Sequence, residues 1–232
     1  MTRSQFSTSS LMAWRYLLPG VAAMLVFIAF PLLYTVGIGF TNYSSNNLLS
    51  EARARLGDAV FGEGEDSYAA AVGRSLRSRG ATLAVAESCT GGLIGAMLTS
   101  VPGSSDYLLL DAVTYANAAK ERVLHVPPEV LMAHGAVSSE CVRAMAVNAR
   151  DVAGADLAIA VSGIAGPSGG TPQKPVGTVF FALATAHGVT ARERRFAGDR
   201  TSVQRQAAWA ALAMVRAACQ GPVGSGNASV CG

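Results

Sequence analysis

The chain has 232 residues, half of them apolar and 14% charged, with a formal net charge of +3. That is material for one ordinary domain plus an extra segment, and it is too apolar for wholesale disorder. The small charge, with no basic run interleaved with aromatics, argues against a nucleic-acid surface.

Residues 1–15 form an N-terminal flank. No charged residue occurs from Tyr16 to Phe40, and about 20 apolar residues suffice to cross a bilayer. Pro31, Gly37 and Gly39 are tolerated in membrane helices, and Trp14, Tyr16 and Tyr43 flank the run as interface anchors. The pattern predicts one transmembrane helix over 16–40. A cleaved signal peptide is the competing reading, but the small-x-small site Ala52-Arg53-Ala54 lies far past the run. Arg3 and Arg15 precede the span while Arg53 and Arg55 follow it, so charge sets no orientation. Residues 41–66 read as a linker that becomes rich in Gly and acidic residues, and 221–232 as a disordered tail.

Residues 67–220 alternate helical and strand patterns. Val72 and Leu76 give the inner face of a first helix, which Gly80 stops. "ATLAVA" suits a strand buried on both faces. Leu93, Ile94, Met97 and Leu98 space as a second helix, "LLLDAVTY" as a strand, with a short helix near Asn117. Ser138 or Ser139 caps a helix carrying Val142, Met145, Ala146, Ala149 and Val152, ended by Gly154. "DLAIAVSG" and "GTVFFALAT" are strands, and "VTARERRF" an edge strand. Thr201 and Gln204 fit a T-x-x-Q capping box that opens a final helix through Cys219. Strands separated by helices predict a three-layer α/β/α sandwich with a mostly parallel or mixed sheet.

Cys89, Cys141, Cys219 and Cys231 match no CxxC or metal-ligand spacing, and His125, His134 and His187 are scattered. No metal site or cofactor is therefore expected, and the thiols read as isolated and reduced.

Ligands gather at the C-terminal ends of strands in open α/β sheets. Three segments leave strands at such ends: "ESCTGG", "TYANAAK" and "SGIAGPSGGTPQKP". If their strands are parallel neighbours, the segments converge. A helix starting near Thr90 would offer amides beside Ser88, with Gly91 and Gly92 allowing close backbone approach to a phosphate or an oxyanion. The bland alternative is that Ser88 or Thr90 merely caps the helix. A serine nucleophile needs a base. Lys120, five residues after Tyr115, can share its pocket, and a lysine is a base only when burial keeps it neutral. The alternative is a solvated surface lysine. The glycine-rich segment reads as a binding loop, with Ser162, Gly163, Gly166 and Gly169 as candidate contacts and Arg200 as an anion partner. No histidine near Cys89 in sequence would activate it, so Cys89 reads as a small buried residue.

"AESCTGG", "VTYANAAK", "HGAVSSE", "SGIAGPSGG", "KPVGTVFFA" and "GDR" occur in order. Together they resemble the C-terminal domain of the CinA family, the nicotinamide-nucleotide amidohydrolases, over about residues 67–220. The resemblance implies metal-independent hydrolysis of the carboxamide of nicotinamide mononucleotide to nicotinate mononucleotide and ammonia. It puts the catalytic serine, tyrosine and lysine on Ser88, Tyr115 and Lys120, and it implies dimers. The family's link to competence and DNA damage carries a second expectation, a membrane-tethered, non-catalytic interaction module. Residues 12–55, sharpest in "FPLLYTVGIGFTNYSSNNLLS", resemble the first membrane span of maltose-type ABC transporter permeases. A cytoplasmic nucleotide substrate would place the catalytic domain of the anchored chain in the cytoplasm, whereas the permease-like span points it outward.

Overall fold

The computed structural model describes residues 67–220 and the isolated positions Met24 and Ile28. The chain divides into units Met1–Val60 and Phe61–Gly232, and residues 67–220 lie in the second. Among the described residues no helix is long and apolar enough to cross a membrane. The span expected over 16–40, the linker over 41–66 and the tail over 221–232 lie outside them.

The elements run in the order α1 (Tyr68–Ser78), β1 (Leu83–Glu87), α2 (Leu93–Thr99), β2 (Leu108–Val113), α3 (Asn117–Leu124), α4 (Pro128–His134), α5 (Ser139–Ala153), β3 (Leu157–Gly163), β4 (Thr178–Thr185), β5 (Gly188–Arg195) and α6 (Arg200–Gln220). They build one five-stranded mixed sheet in the order β2-β1-β3-β4-β5. β1 runs parallel to both β2 and β3, while β3–β4 and β4–β5 are antiparallel. The expected edge strand "VTARERRF" is β5, with its arginines largely exposed.

Side chains alternate across a strand, and here the alternation sorts residues by size. One face presents Leu83, Val85, Ile159, Val161, Val179, Phe181 and Leu183, packed on α1, α2 and α6. The other presents Ala84, Ala86, Ala112, Ala158, Ala160, Ala182 and Ala184, packed mainly on α5. An alanine floor lets a helix approach the sheet closely. α5 meets it with Cys141, Val142, Met145, Ala146 and Ala149. Its N-cap is Ser138, whose Oγ accepts from the Cys141 amide, and Gly154 ends it in the left-handed conformation at φ 61°. Val152, expected on the inner face, is instead exposed.

Two helix starts differ from expectation. α4 has no counterpart in the periodicity, although Pro128 at its first position and Gly135 after its end are ordinary boundary signals. At α6 the cap is Asp199, whose Oδ1 accepts from the Ser202 amide. Gln204 does not close a capping box but reaches out of the helix to the Cys89 carbonyl.

Candidate active site

The parallel trio β2-β1-β3 brings the C-terminal ends of three strands to one edge of the sheet. The segments after these strands do converge. They line a cavity of about 360 Å³ whose wall includes Ser88, Tyr115, Lys120, Ser162, Gly163, Gly166, Gly169 and Arg200. That volume lies within the range of small-ligand clefts.

Ser88 comes directly after the last residue of β1 and is nearly buried. The turn behind it needs two consecutive left-handed residues, Gly91 at φ 64° and Gly92 at φ 94°. A Cβ at Gly91 would meet only Gln204 Nε2 at 3.9 Å, and one at Gly92 only Val113 at 3.5 Å. Backbone angle rather than space therefore demands glycine at both positions. Both amides are already bonded within the turn. Gly91 N–H donates to the Ser88 carbonyl at 3.1 Å. Gly92 N–H donates to Glu87 Oε2 at 3.0 Å, and Gly95 N–H to Glu87 Oε1 at 2.8 Å. The glutamate of "ESCTGG" thus caps α2, which starts at Leu93 and not near Thr90. Thr90, Gly91 and Gly92, all three expected to contact the ligand, line a separate cavity with Gln204 and Arg205 and not the one that holds Ser88.

The peptide between Cys89 and Thr90 is held by α6. Gln204 Nε2 donates to the Cys89 carbonyl at 2.8 Å. Because a trans peptide points its C=O and N–H in opposite directions, this bond turns the Thr90 N–H away from Gln204. The Thr90 N–H has no partner among the described residues.

Lys120 sits on α3 with Leu124 four residues later, the two buried positions of that helix. It occupies a core-facing place and is 1% exposed. Its Nζ lies 3.0 Å from Ser88 Oγ, 2.8 Å from the Thr114 carbonyl and 3.3 Å from the Tyr115 carbonyl. Among the described residues it makes no ion pair. Burial pushes its pKa below the ordinary lysine value, opposed in part by the thiols of Cys141 and Cys89. A neutral amine has two N–H donors and one lone pair. Two carbonyls and one serine hydroxyl match that inventory.

Tyr115 contributes to this cluster through its carbonyl, not its phenol. Its side chain is 58% exposed at the mouth of the cavity, and its hydroxyl accepts from Arg200 Nη2 at 2.7 Å. A relay from Lys120 through the Tyr115 hydroxyl is therefore not what this arrangement provides. Arg200 also donates through Nη1 to the Gly166 carbonyl at 2.9 Å, which ties the glycine-rich loop to the start of α6. Its guanidinium lines the cavity and places a positive charge there.

The far wall is held by two side chains whose bonds the sequence did not reveal. Ser162 Oγ donates to the Ala136 carbonyl at 2.7 Å. Lys174 Nζ donates to the carbonyls of Val137 at 2.6 Å and His134 at 3.1 Å. Ala136 and Val137 belong to "HGAVSSE", a motif without an assigned role until the loop is seen lining the cavity. Cys89 also lines it, but burial pushes its thiol up to about 12, with the Glu87 charge adding to this and its own amide, Lys120 and Arg200 opposing it. The neighbouring thiol is thus protonated at neutral pH.

Residues 65–219 match the family described as the CinA C-terminal domain. A CinA-like protein of Geobacter sulfurreducens is 53% identical over 164 residues, covering 71% of this chain and 40% of the relative. A CinA-like protein of Anaeromyxobacter sp. (strain K) is 54% identical over 162 residues, covering 70% and 40%. The chain thus spans about two fifths of the length of these curated relatives. Among solved structures, a competence-damaged protein (CinA) superfamily protein from Klebsiella pneumoniae aligns with a TM-score of 0.64 at 39% identity, over 66% of this chain and 96% of that one. One from Escherichia coli aligns with a TM-score of 0.62 at 29% identity, over 70% and 98%. The family match starts at residue 65 and lends no support to the permease-like reading of residues 12–55. Because the family match spans residues 65–219, more than half of the chain, the chain belongs to the CinA C-terminal domain family.

Proposed function

We propose that this domain is a serine amidohydrolase that removes the carboxamide nitrogen of nicotinamide mononucleotide. The observation that carries this reading is the buried, carboxylate-free contact of Lys120 Nζ with Ser88 Oγ at 3.0 Å. A lysine so placed can take a proton from a hydroxyl, which a solvated lysine at neutral pH cannot.

In the first step Lys120 Nζ accepts the Ser88 proton as Oγ bonds to the carboxamide carbon. The carbonyl oxygen gains the negative charge, and an N–H of the turn after Ser88, that of Thr90 in this reading, is the donor that meets it. A well-placed donor of this kind is worth about 3–4 kcal/mol. The tetrahedral carbon then expels its amine, which takes the proton from Lys120 and leaves as ammonia. Water attacks the ester on Ser88, with Lys120 again holding the proton in transit, and Oγ recovers it as nicotinate mononucleotide departs. Arg200 and the loop from Gly163 to Gly169 that lines the cavity are the groups offered to the phosphate.

The test is ammonia release from nicotinamide mononucleotide by the purified chain and by Ser88→Ala. Turnover by the parent that falls to background in the variant supports the reading. Undiminished turnover in the variant dismisses the Ser88 mechanism, and no turnover by the parent favours an interaction module.

A further inference from the structure

Glu87 is the last residue of β1 and is fully buried. Its two oxygens accept from Gly92 and Gly95, so this one carboxyl fixes both the turn carrying Ser88 and the start of α2. A second carboxyl lies against it. Asp111 pairs with Val85 in the β1–β2 register while Glu87 pairs with Val113, which puts Glu87 and Asp111 on the same face of adjacent strands. Asp111 also abuts α2, since a Cβ on Gly95 would overlap Asp111 Oδ2 and stand 2.6 Å from its Cγ. Glycine at 95 lets both acids reach the helix.

Two ionised carboxylates so close would repel each other strongly in a place with little water. Neither acid makes an ion pair among the described residues, and the charged neighbour of Asp111 is Glu87, from β1; Lys120 of α3 stands beyond the turn, on Ser88. From α2 only backbone amides approach, and the Cys89 thiol near Glu87 is protonated. Gln204 of α6, which holds the turn, is neutral. Asp111 Oδ1 is buried with no hydrogen-bond partner. Burial, the charge of Glu87 and a hydrogen bond with it together push Asp111 up to about 7.

We propose that Glu87 and Asp111 share one proton beneath the turn that carries Ser88, making the pair a proton-dependent support for the nucleophile. Asp111 carries the proton and donates to Glu87, which keeps its oxygens for the two amides. Both are positioning residues, because neither lines the cavity that holds Ser88. When the proton leaves, repulsion acts on the turn itself.

The experiment compares thermal unfolding of the whole chain and of Asp111→Asn from pH 5 to 9. Asparagine keeps the shape and donates to Glu87 without needing a proton. An aspartate raised to about 7 in the fold loses stability as pH rises from its unfolded value toward 7, and no further above that. The variant should therefore gain on the wild type by roughly 5 °C between pH 5 and 7, with the difference level above. Parallel curves overturn the proposal. Should the variant not fold, carboxyl ¹³C titration of the wild type decides: one aspartate keeping its proton to near pH 7 supports the pair, and all ionised by pH 5 overturns it. A third arm rests on the amidohydrolase reading: an alkaline fall in kcat that Asp111→Asn removes supports the pair, and one that it leaves in place overturns it. Absence of any turnover would sink that reading while the unfolding and titration results still judge the pair.

Discussion

Replacing Lys120 by arginine or by methionine separates two ways in which a lysine can serve Ser88. Its Nζ stands 3.0 Å from Ser88 Oγ and donates to two carbonyls. As a base it must be neutral, whereas as a fixed cation it need only be positive. Arginine keeps the charge but stays protonated in proteins. Methionine keeps the length and apolar stem but has no proton chemistry. Positioned general bases contribute about 10²–10⁴-fold, so both variants should lose roughly 10³ in kcat, about 4 kcal/mol of barrier. Stability adds an independent sign. A lysine lowered by burial binds its proton less readily when folded, so stability should rise with pH between its depressed folded value and its ordinary value of 10.5. Lys120→Met should lack that rise, while its orphaned carbonyls cost about 1–3 kcal/mol each, offset in part by the added apolar burial. The assays are ammonia release and thermal unfolding across pH. Lys120→Arg keeping more than about a tenth of the activity would refute the neutral-base reasoning.

Cys89→Ala should retain activity within a few-fold in the ammonia assay, because its thiol, pushed up to about 12, stays protonated. Arg200→Ala should raise KM by roughly 10–100-fold with a smaller change in kcat, the scale of one charged hydrogen bond; steady-state kinetics reads this directly. Tyr115→Phe removes only the acceptor that Arg200 uses, so it should affect KM in the same direction but less. Gln204→Ala frees the Cys89 carbonyl and should lower kcat by roughly 10–100-fold at little change in KM, since the Thr90 amide then loses its orientation.

The fold was legible because its strands are short apolar runs with glycine and serine boundaries. "ATLAVA", "DLAIAVSG" and "GTVFFALAT" became β1, β3 and β4, and Gly154 closed α5 as its position implied. The convergence of three segments also held once β2, β1 and β3 proved parallel. What local pattern could not show was the direction of side chains. Tyr115 offers its carbonyl to the cluster and turns its ring outward, which strand position alone does not decide. Gln204 fits a capping box by spacing, yet its tertiary partner lies 115 residues away. The sequence pattern assigns no role to Glu87 and Asp111, and only the register between β1 and β2 makes them neighbours. Gly91 and Gly92 looked like ligand-facing positions because backbone angle and backbone access leave the same signature in sequence.

Acid-quenched mass spectrometry of the chain mixed with nicotinamide mononucleotide reads the bond at the centre of the mechanism. The expected result is a nicotinate-mononucleotide acyl group on the peptide containing Ser88, absent from Ser88→Ala and enriched when the second, hydrolytic step is slow. Turnover that proceeds while the adduct appears on Cys89, or that persists undiminished in Ser88→Ala, would contradict it.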